Sequence, residues 1–159
     1  MRARPVEERL WEKVAKSDTC WLWTGAKCGG GRGGYGSIRI GRSTKKAHRV
    51  AWELTNGPVP EGMKLDHICH NRACVRPDHL RVVTHKQNLE NVSGAYVTNR
   101  SGIRGVTWDA KSSKWAARVR HNGALHHGGF HDSIKAAEAA VRDIRLELFT
   151  HNDQDRKAS

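Results

Sequence analysis

The chain is short of nearly everything that builds a large hydrophobic core. Its 159 residues include two Phe, two Tyr and two Met, and hydrophobic residues make up only 37% against 28% charged. So little apolar material excludes one thick core and calls for a staple such as a structural metal, or for small sheet-and-helix modules. Acids are scarce as well: 16 Asp and Glu face 28 Lys and Arg, leaving a net charge of +12. That balance favours a polyanionic partner, and nucleic acid ahead of a membrane because no basic amphipathic helix is present. No run approaches the roughly 18 apolar residues of a membrane span. The start MRARPVEERL lacks the apolar stretch of a secretory signal. An intracellular protein is expected, and there four cysteines point to metal ligation rather than disulfides.

The length allows one ordinary domain or two small ones. The polar segment NVSGAYVTNRSG marks a break, predicting domains over 1–92 and 101–150, a linker over 93–100 and a frayed tail over 151–159. Leu10, Trp11 and Val14 have helical spacing, the Gly run after Cys28 marks a loop, and Tyr35 to Ile40 alternates like a hairpin strand. AHRVAWELTNG predicts a helix with Ala47, Val50, Ala51 and Leu54 on one face and Asn56-Gly57 at its end. KLDHIC reads as a strand, and helix is expected from about Thr84. Farther on, IRGVTWD, KWAARVRHNG and HHGGF read as three strands. DSIKAAEAAVRDIRLELF reads as a helix capped by Asp132 or Ser133, with Ile134, Ala137, Val141, Ile144 and Leu148 as its stripe. The fold class is α+β.

The densest chemistry lies in DHICHNRACVRPDHL. Cys69, Cys74 and His79 are soft or borderline ligands on a stretch short enough to wrap one zinc ion, and tetrahedral zinc needs a fourth. Cys20 and Cys28 are both available; Cys20, beside Trp21 and Trp23, is preferred over Cys28 in the Gly loop. With four ligands the site is structural, since no position is left for water. His67 beside Asp66 is of another kind. A strand-borne His can take a proton from water near neutral pH, and Asp66 or a downstream Asn can hold a hard ion. The run IRIGRSTKKAHR adds Arg39, Arg42, Lys45 and Lys46 for a phosphate backbone, while Arg49 and His48 remain ambiguous.

LDHICHNRACVRPDHL followed by THKQN resembles an HNH endonuclease of the His-Me finger (ββα-metal) superfamily, especially its His-Cys box homing endonucleases. The wider stretch through CWLWTG, GYG, AHRVAWEL and NGPVPEG, about residues 10–92, resembles HNH proteins of phages. The resemblance implies that His67 is the general base, that Asn88 holds a catalytic Mg²⁺ or Mn²⁺ ion, and that Asp66 is a second ligand. It also implies a zinc set of Cys20, Cys69, Cys74 and His79. Arg76 stands where such phage proteins usually carry Asn.

The segment from Ser101 to Ile144 resembles an AP2-type DNA-binding domain through RGV, the following Trp, KW, ARVR, G-F and AAEAA. That family folds as a three-stranded antiparallel sheet on one helix and puts the sheet in the major groove. Residues 100–120 carry six basic side chains and one acid. Alternation sends Arg118 and Arg120 to the face opposite Ala117 and Val119. The expected DNA contacts are Arg104, Trp108, Lys114, Arg118 and Arg120. Trp115 serves equally well as core, and His126 replaces the usual third-strand aromatic. The combined expectation is a homing-type endonuclease acting on double-stranded DNA in the cytoplasm of a bacterial host, encoded by a phage or an intron. A homodimer would let one-strand sites cut both strands. Two alternatives stay open: a non-catalytic, zinc-containing DNA-binding regulator, and a packaging or repair nuclease of low sequence specificity.

Overall fold

The computed structural model describes residues 4–29, 34–92 and 94–157. Its contacts gather into two compact units, Met1–His85 and Lys86–Ser159. The Gly run read as a loop lies, from Gly30 to Gly33, outside the described residues.

The first unit runs α1 (Val6–Trp11), β1 (Val14–Ala15), β2 (Leu22–Trp23), β3 (Lys27–Cys28), β4 (Tyr35–Ile40), β5 (Ser43–Lys46), α2 (Ala47–Asn56), β6 (Lys64–His67), a 3-10 turn (Pro77–His79) and β7 (Leu80–Val83). The strands form three small antiparallel sheets, β1–β2, β3–β4–β5 and β6–β7. The N-terminal helix stops at Trp11 rather than reaching Val14, which pairs with Trp23 across β1–β2. Leu10, Trp23, Ile38, Ala47, Val50, Ala51 and Val75 form the core. Burying a chain the size of Leu10 or Ile38 is worth about 1.5–3 kcal/mol. Trp23 explains Gly36: a Cβ there would stand 2.6 Å from the indole, so only glycine lets the strand lie against the ring. α2 buries Ala47, His48, Val50 and Ala51 as its spacing predicts, and Gly57 closes it at φ 84°. Leu54, expected on the buried face, is 40% exposed.

The second unit holds α3 (His85–Glu90, beginning at the boundary), β8 (Val106–Asp109), β9 (Lys114–His121), β10 (Ala124–His131), α4 (Ile134–Leu148) and α5 (Asp153–Lys157). The three strands form one antiparallel sheet in the order β10–β9–β8. Val106, Ala117 and Val119 from the sheet meet Ala137 and Val141 from α4, with Phe149 closing the cluster. Ser133 caps α4 by accepting from the Ala136 amide at 3.2 Å. Gly128 lets α4 approach: a Cβ there would lie 2.9 Å from that of Ala117 and 3.0 Å from Ile144.

The tail expected to fray is ordered through α5. Arg145 donates from Nε and Nη2 to Asp155 at 2.6 and 3.0 Å, and Arg156 donates to the Phe149 carbonyl at 3.1 Å. The Asp155 bonds come from Arg145 on α4, so the tail's own polar composition does not reveal them. Among the described residues no helix is long and apolar enough to cross a membrane.

Candidate functional site

After β6 the chain makes a tight knuckle. Ile68 donates to the His79 carbonyl at 3.0 Å, His70 turns at φ 56°, and Asn71 accepts from the Ala73 amide through Oδ1 and from the Cys74 amide through its carbonyl. The segment that runs from Cys20 into β2 reaches the knuckle by backbone pairing: Trp23 donates to Ala73 and Val75 to Trp21, both at 2.8 Å. Arg76 then fastens the approach, donating from Nη1 to the carbonyls of Asp18 and Thr19 at 2.7 and 2.8 Å. The residue that replaces the usual Asn therefore secures the segment that delivers Cys20.

The result brings Cys20, Cys69, Cys74 and His79 together, with their ligand atoms all within 4.8 Å of one another. His79 Nδ1 lies 3.6 Å from the Cys20 sulfur and 3.7 Å from that of Cys74. Zinc bonds of about 2.3 Å to sulfur and about 2.0–2.1 Å to nitrogen make the edge of a tetrahedron about 3.6 Å, so the donor set fits. The thiols also suit a cation. Hydrogen bonding from Cys74 holds the Cys69 thiol down at about 4, and that interaction pushes Cys74 up. Burial, then Cys69, pushes Cys20 up. Three crowded sulfurs cannot all ionise without a positive ion between them. All four cysteines are free thiols, and Cys28 is exposed on β3, outside the group.

His67 ends β6 and is buried. Its Nε2 lies 3.0 Å from the Cys74 carbonyl oxygen. A carbonyl can only accept, so Nε2 carries the proton and Nδ1 keeps its lone pair. Burial favours the neutral ring and pulls the His67 pKa down, although the Cys74 bond acts in the opposite direction. His48 packs edge-on at 4.7 Å between ring centres, and Tyr35 lies 6.0 Å from His67 and 5.3 Å from His48. Burial and then His67 hold His48 down to about 3, so it too is neutral. Lys46 Nζ stands 4.5 Å from the Tyr35 ring centre and the Arg72 guanidinium 5.4 Å. Of these residues the sequence offers Lys46 as a phosphate contact and leaves His48 ambiguous; folding alone brings Tyr35 to both histidines and Arg72 to Tyr35.

Asp66 is less available than its place beside His67 suggests. The β6–β7 register sets it opposite Arg81, which donates from Nε and Nη2 to Asp66 Oδ2 at 3.1 and 2.8 Å. Its charge is spent on that arginine. Arg39 is exposed on β4, Lys45 and Lys46 on β5, and Arg42 in the turn between them. Arg49 pairs with Glu53 at 2.8 Å on α2.

In the second unit Asn88 is half-buried on α3. The sheet separates the expected DNA contacts. Cross-strand partners share a face, so Lys114, Arg118 and Arg120 lie opposite Ala117 and Val119, as the alternation predicts. Trp108 pairs with Trp115, which packs against the core, so it belongs to the helix-bearing face although 53% exposed. Arg104 leaves the set for a stronger reason. Both its terminal nitrogens donate to carbonyls at the end of α3. On the arginine-bearing face stands Phe130, 52% exposed, in register with Ala116 and 6.0 Å from the Arg118 guanidinium.

Residues 45–90 match the family model described as HNH endonuclease. Protein 7.7 of Escherichia phage T7 is 37% identical over 127 residues, covering 80% of this chain and 92% of the phage protein. Protein 3.8 of the same phage is 33% identical over 103 residues, covering 65% of this chain and 84% of its own length. No solved structure matches. The knuckle and His67 fall inside the region that matches the HNH endonuclease model, and the chain belongs to the family of phage proteins that includes Protein 3.8 and Protein 7.7.

Proposed function

We propose that the chain is a metal-dependent DNA endonuclease of the homing type, with a zinc-stapled ββα-metal centre and an AP2-like sheet that chooses the site. The observation that carries this reading is the His67–Cys74 hydrogen bond inside the HNH match. It leaves a neutral histidine with an unprotonated Nδ1 at the end of β6, fixed to the knuckle by that bond, as a general base for water requires. Attack of the water oxygen on phosphorus transfers a proton to Nδ1 and breaks the bond to the 3′ oxygen. Zinc on Cys20, Cys69, Cys74 and His79 holds the knuckle in shape and touches no substrate.

The Asn88 amide oxygen suits a hard ion such as Mg²⁺ or Mn²⁺, which takes one or two protein oxygens and keeps several waters. When bound, such an ion supplies positive charge for the departing oxygen. Asp66 serves by fixing β6 through Arg81 rather than as a full ligand. Arg39, Arg42, Lys45 and Lys46 are assigned to the phosphate backbone, and Lys114, Arg118, Arg120 and Phe130 to the recognition face. Arg76 stands where such phage proteins usually carry Asn, and its bonds to Asp18 and Thr19 give it a scaffold role that leaves His67 and Asn88 in place.

Supercoiled plasmid DNA incubated with Mg²⁺ or Mn²⁺ tests the reading. His67→Ala is expected to lose roughly 100-fold or more in rate, and cleavage at the parent's rate would end the proposal. Sequencing cleaved ends from a random library separates a long recognition site from low-specificity cutting, and nicks from double-strand breaks.

A further inference from the structure

α3 has six residues, too few to persist in water unaided, and its final carbonyls have no partner inside the helix. Arg104 provides one. Nη1 donates to the carbonyls of Glu90 and Val92 at 2.9 and 3.0 Å, and Nη2 to that of Leu89 at 3.0 Å. Glu90 is only 4% exposed. Its Oε2 accepts from the Thr150 amide and hydroxyl at 2.9 and 3.0 Å and from the His151 amide at 3.3 Å. Its Oε1 lies 3.5 Å from His121 Nε2 and 3.6 Å from Lys86 Nζ and accepts no hydrogen bond. Buried Asn91 accepts from the Asp153 amide at 3.0 Å. The receiving strap is locked in turn, because Arg145 holds Asp155 and donates to the Arg104 carbonyl at 2.7 Å.

A carboxylate buried this deeply is costly unless it is fully paired. Three donors satisfy Oε2 while Oε1 accepts none, so the network adds little net stability and its effect is to fix what it holds. What it holds is the helix whose fourth residue is Asn88, two positions before Glu90. We propose that Glu90 and Arg104 are positioning residues for Asn88, fixing α3 to the strap Thr150–Asp155 so that the amide oxygen is held for a divalent ion. This rests on Asn88 being the metal ligand. The unit that bears the recognition sheet is then also the unit that fixes the ligand, so a loosened strap weakens metal binding without touching DNA affinity.

The experiment uses the full chain, zinc-loaded, with Arg104→Ala, Arg104→Lys, Glu90→Gln and Asn88→Ala. Mn²⁺ binding is read without DNA from the free-ion electron paramagnetic resonance signal, and hydrogen exchange is followed in residues 86–92 and in α4. Arg104→Ala and Glu90→Gln are expected to speed exchange over 86–92 while α4 stays protected. Both should raise the Mn²⁺ midpoint for binding and for cleavage about tenfold with KM for DNA unchanged, and Arg104→Lys should recover part of each loss. If Arg104→Ala also exposes α4, Glu90→Gln decides by the same readouts. A parental Mn²⁺ midpoint in Glu90→Gln despite faster α3 exchange overturns the proposal, as does unchanged exchange. Asn88→Ala separates the two layers: parental Mn²⁺ binding in that variant overturns the ligand assignment itself.

Discussion

His67 Nε2 donates to the carbonyl oxygen of Cys74, a residue whose sulfur faces Cys20, Cys69 and His79. The proposed base therefore leans on the backbone of a proposed zinc ligand, and the two metals have separable effects. Stripping zinc should disable cleavage even under saturating Mg²⁺, because the carbonyl that fixes the imidazole moves with the knuckle. Cys74→Ser should do the same. Melting temperature, zinc content and plasmid cleavage are expected to fall together; a stripped protein that melts at the parent's temperature would disprove the structural ion.

Arg76 acts one step farther out. Its bonds to Asp18 and Thr19 hold the approach to Cys20, so Arg76→Ala should weaken zinc binding about 10–100-fold. The remaining ligands stay in place, and the fold should survive when zinc is in excess. Competition with a chromogenic chelator measures the shift, and equal affinity would show that the Cys20 segment is held by its pairing with Ala73 and Val75 alone.

Spacing within a short stretch was legible. Cys69, Cys74 and His79 lie within 11 residues, and the knuckle that joins them is local; ligand count called for a fourth from Cys20 or Cys28, and the group holds Cys20. The α4 stripe and the three strands before it were legible for the same reason. Asp66 was not, because Arg81 becomes its partner only through the β6–β7 register. Phe130 was hidden by a change of parity. Counting by twos from His126, which pairs with Val119 on the helix side, puts Phe130 on that side as well. The bulge between His127 and Gly129 inserts a residue and turns it to the arginine face. Arg104 looked like a free cation because the carbonyls it serves, Leu89 to Val92, belong to another element.

Two paired carboxylates of the second unit, buried Glu90 and half-buried Asp155, make it acid-sensitive. Burial raises the Asp155 pKa, but hydrogen bonds from Arg145 and Asn152 outweigh it and hold the carboxyl below its ordinary 3.8. Burial likewise opposes Thr150 and His151 at Glu90, and the net shift is again down from 4.5. Below these ordinary values the unfolded chain binds more protons than the folded one, so stability rises with pH there. The contribution is complete above about pH 5 and is lost as pH falls through the folded values. Urea unfolding at pH 6 and pH 3, followed by exchange in α4, should show the loss. Glu90→Gln with Asp155→Asn should be weaker at pH 6 and nearly flat between the two.

The face proposed for recognition yields a prediction in which charge and shape separate. Arg118 pairs only loosely with Asp109, at 3.8 Å, and lies over Phe130, so on DNA it is free to neutralise a phosphate or read a guanine. Arg118→Ala should lower the slope of log affinity against log salt by about one. Phe130→Ala should weaken binding at the preferred site with the slope unchanged, because an uncharged ring releases no counterion. Trp108→Ala, on the other face, should do neither. Fluorescence anisotropy over a salt series on one duplex reads all three. A drop for Trp108→Ala equal to that of Phe130→Ala would mean that the helix-bearing face meets the DNA.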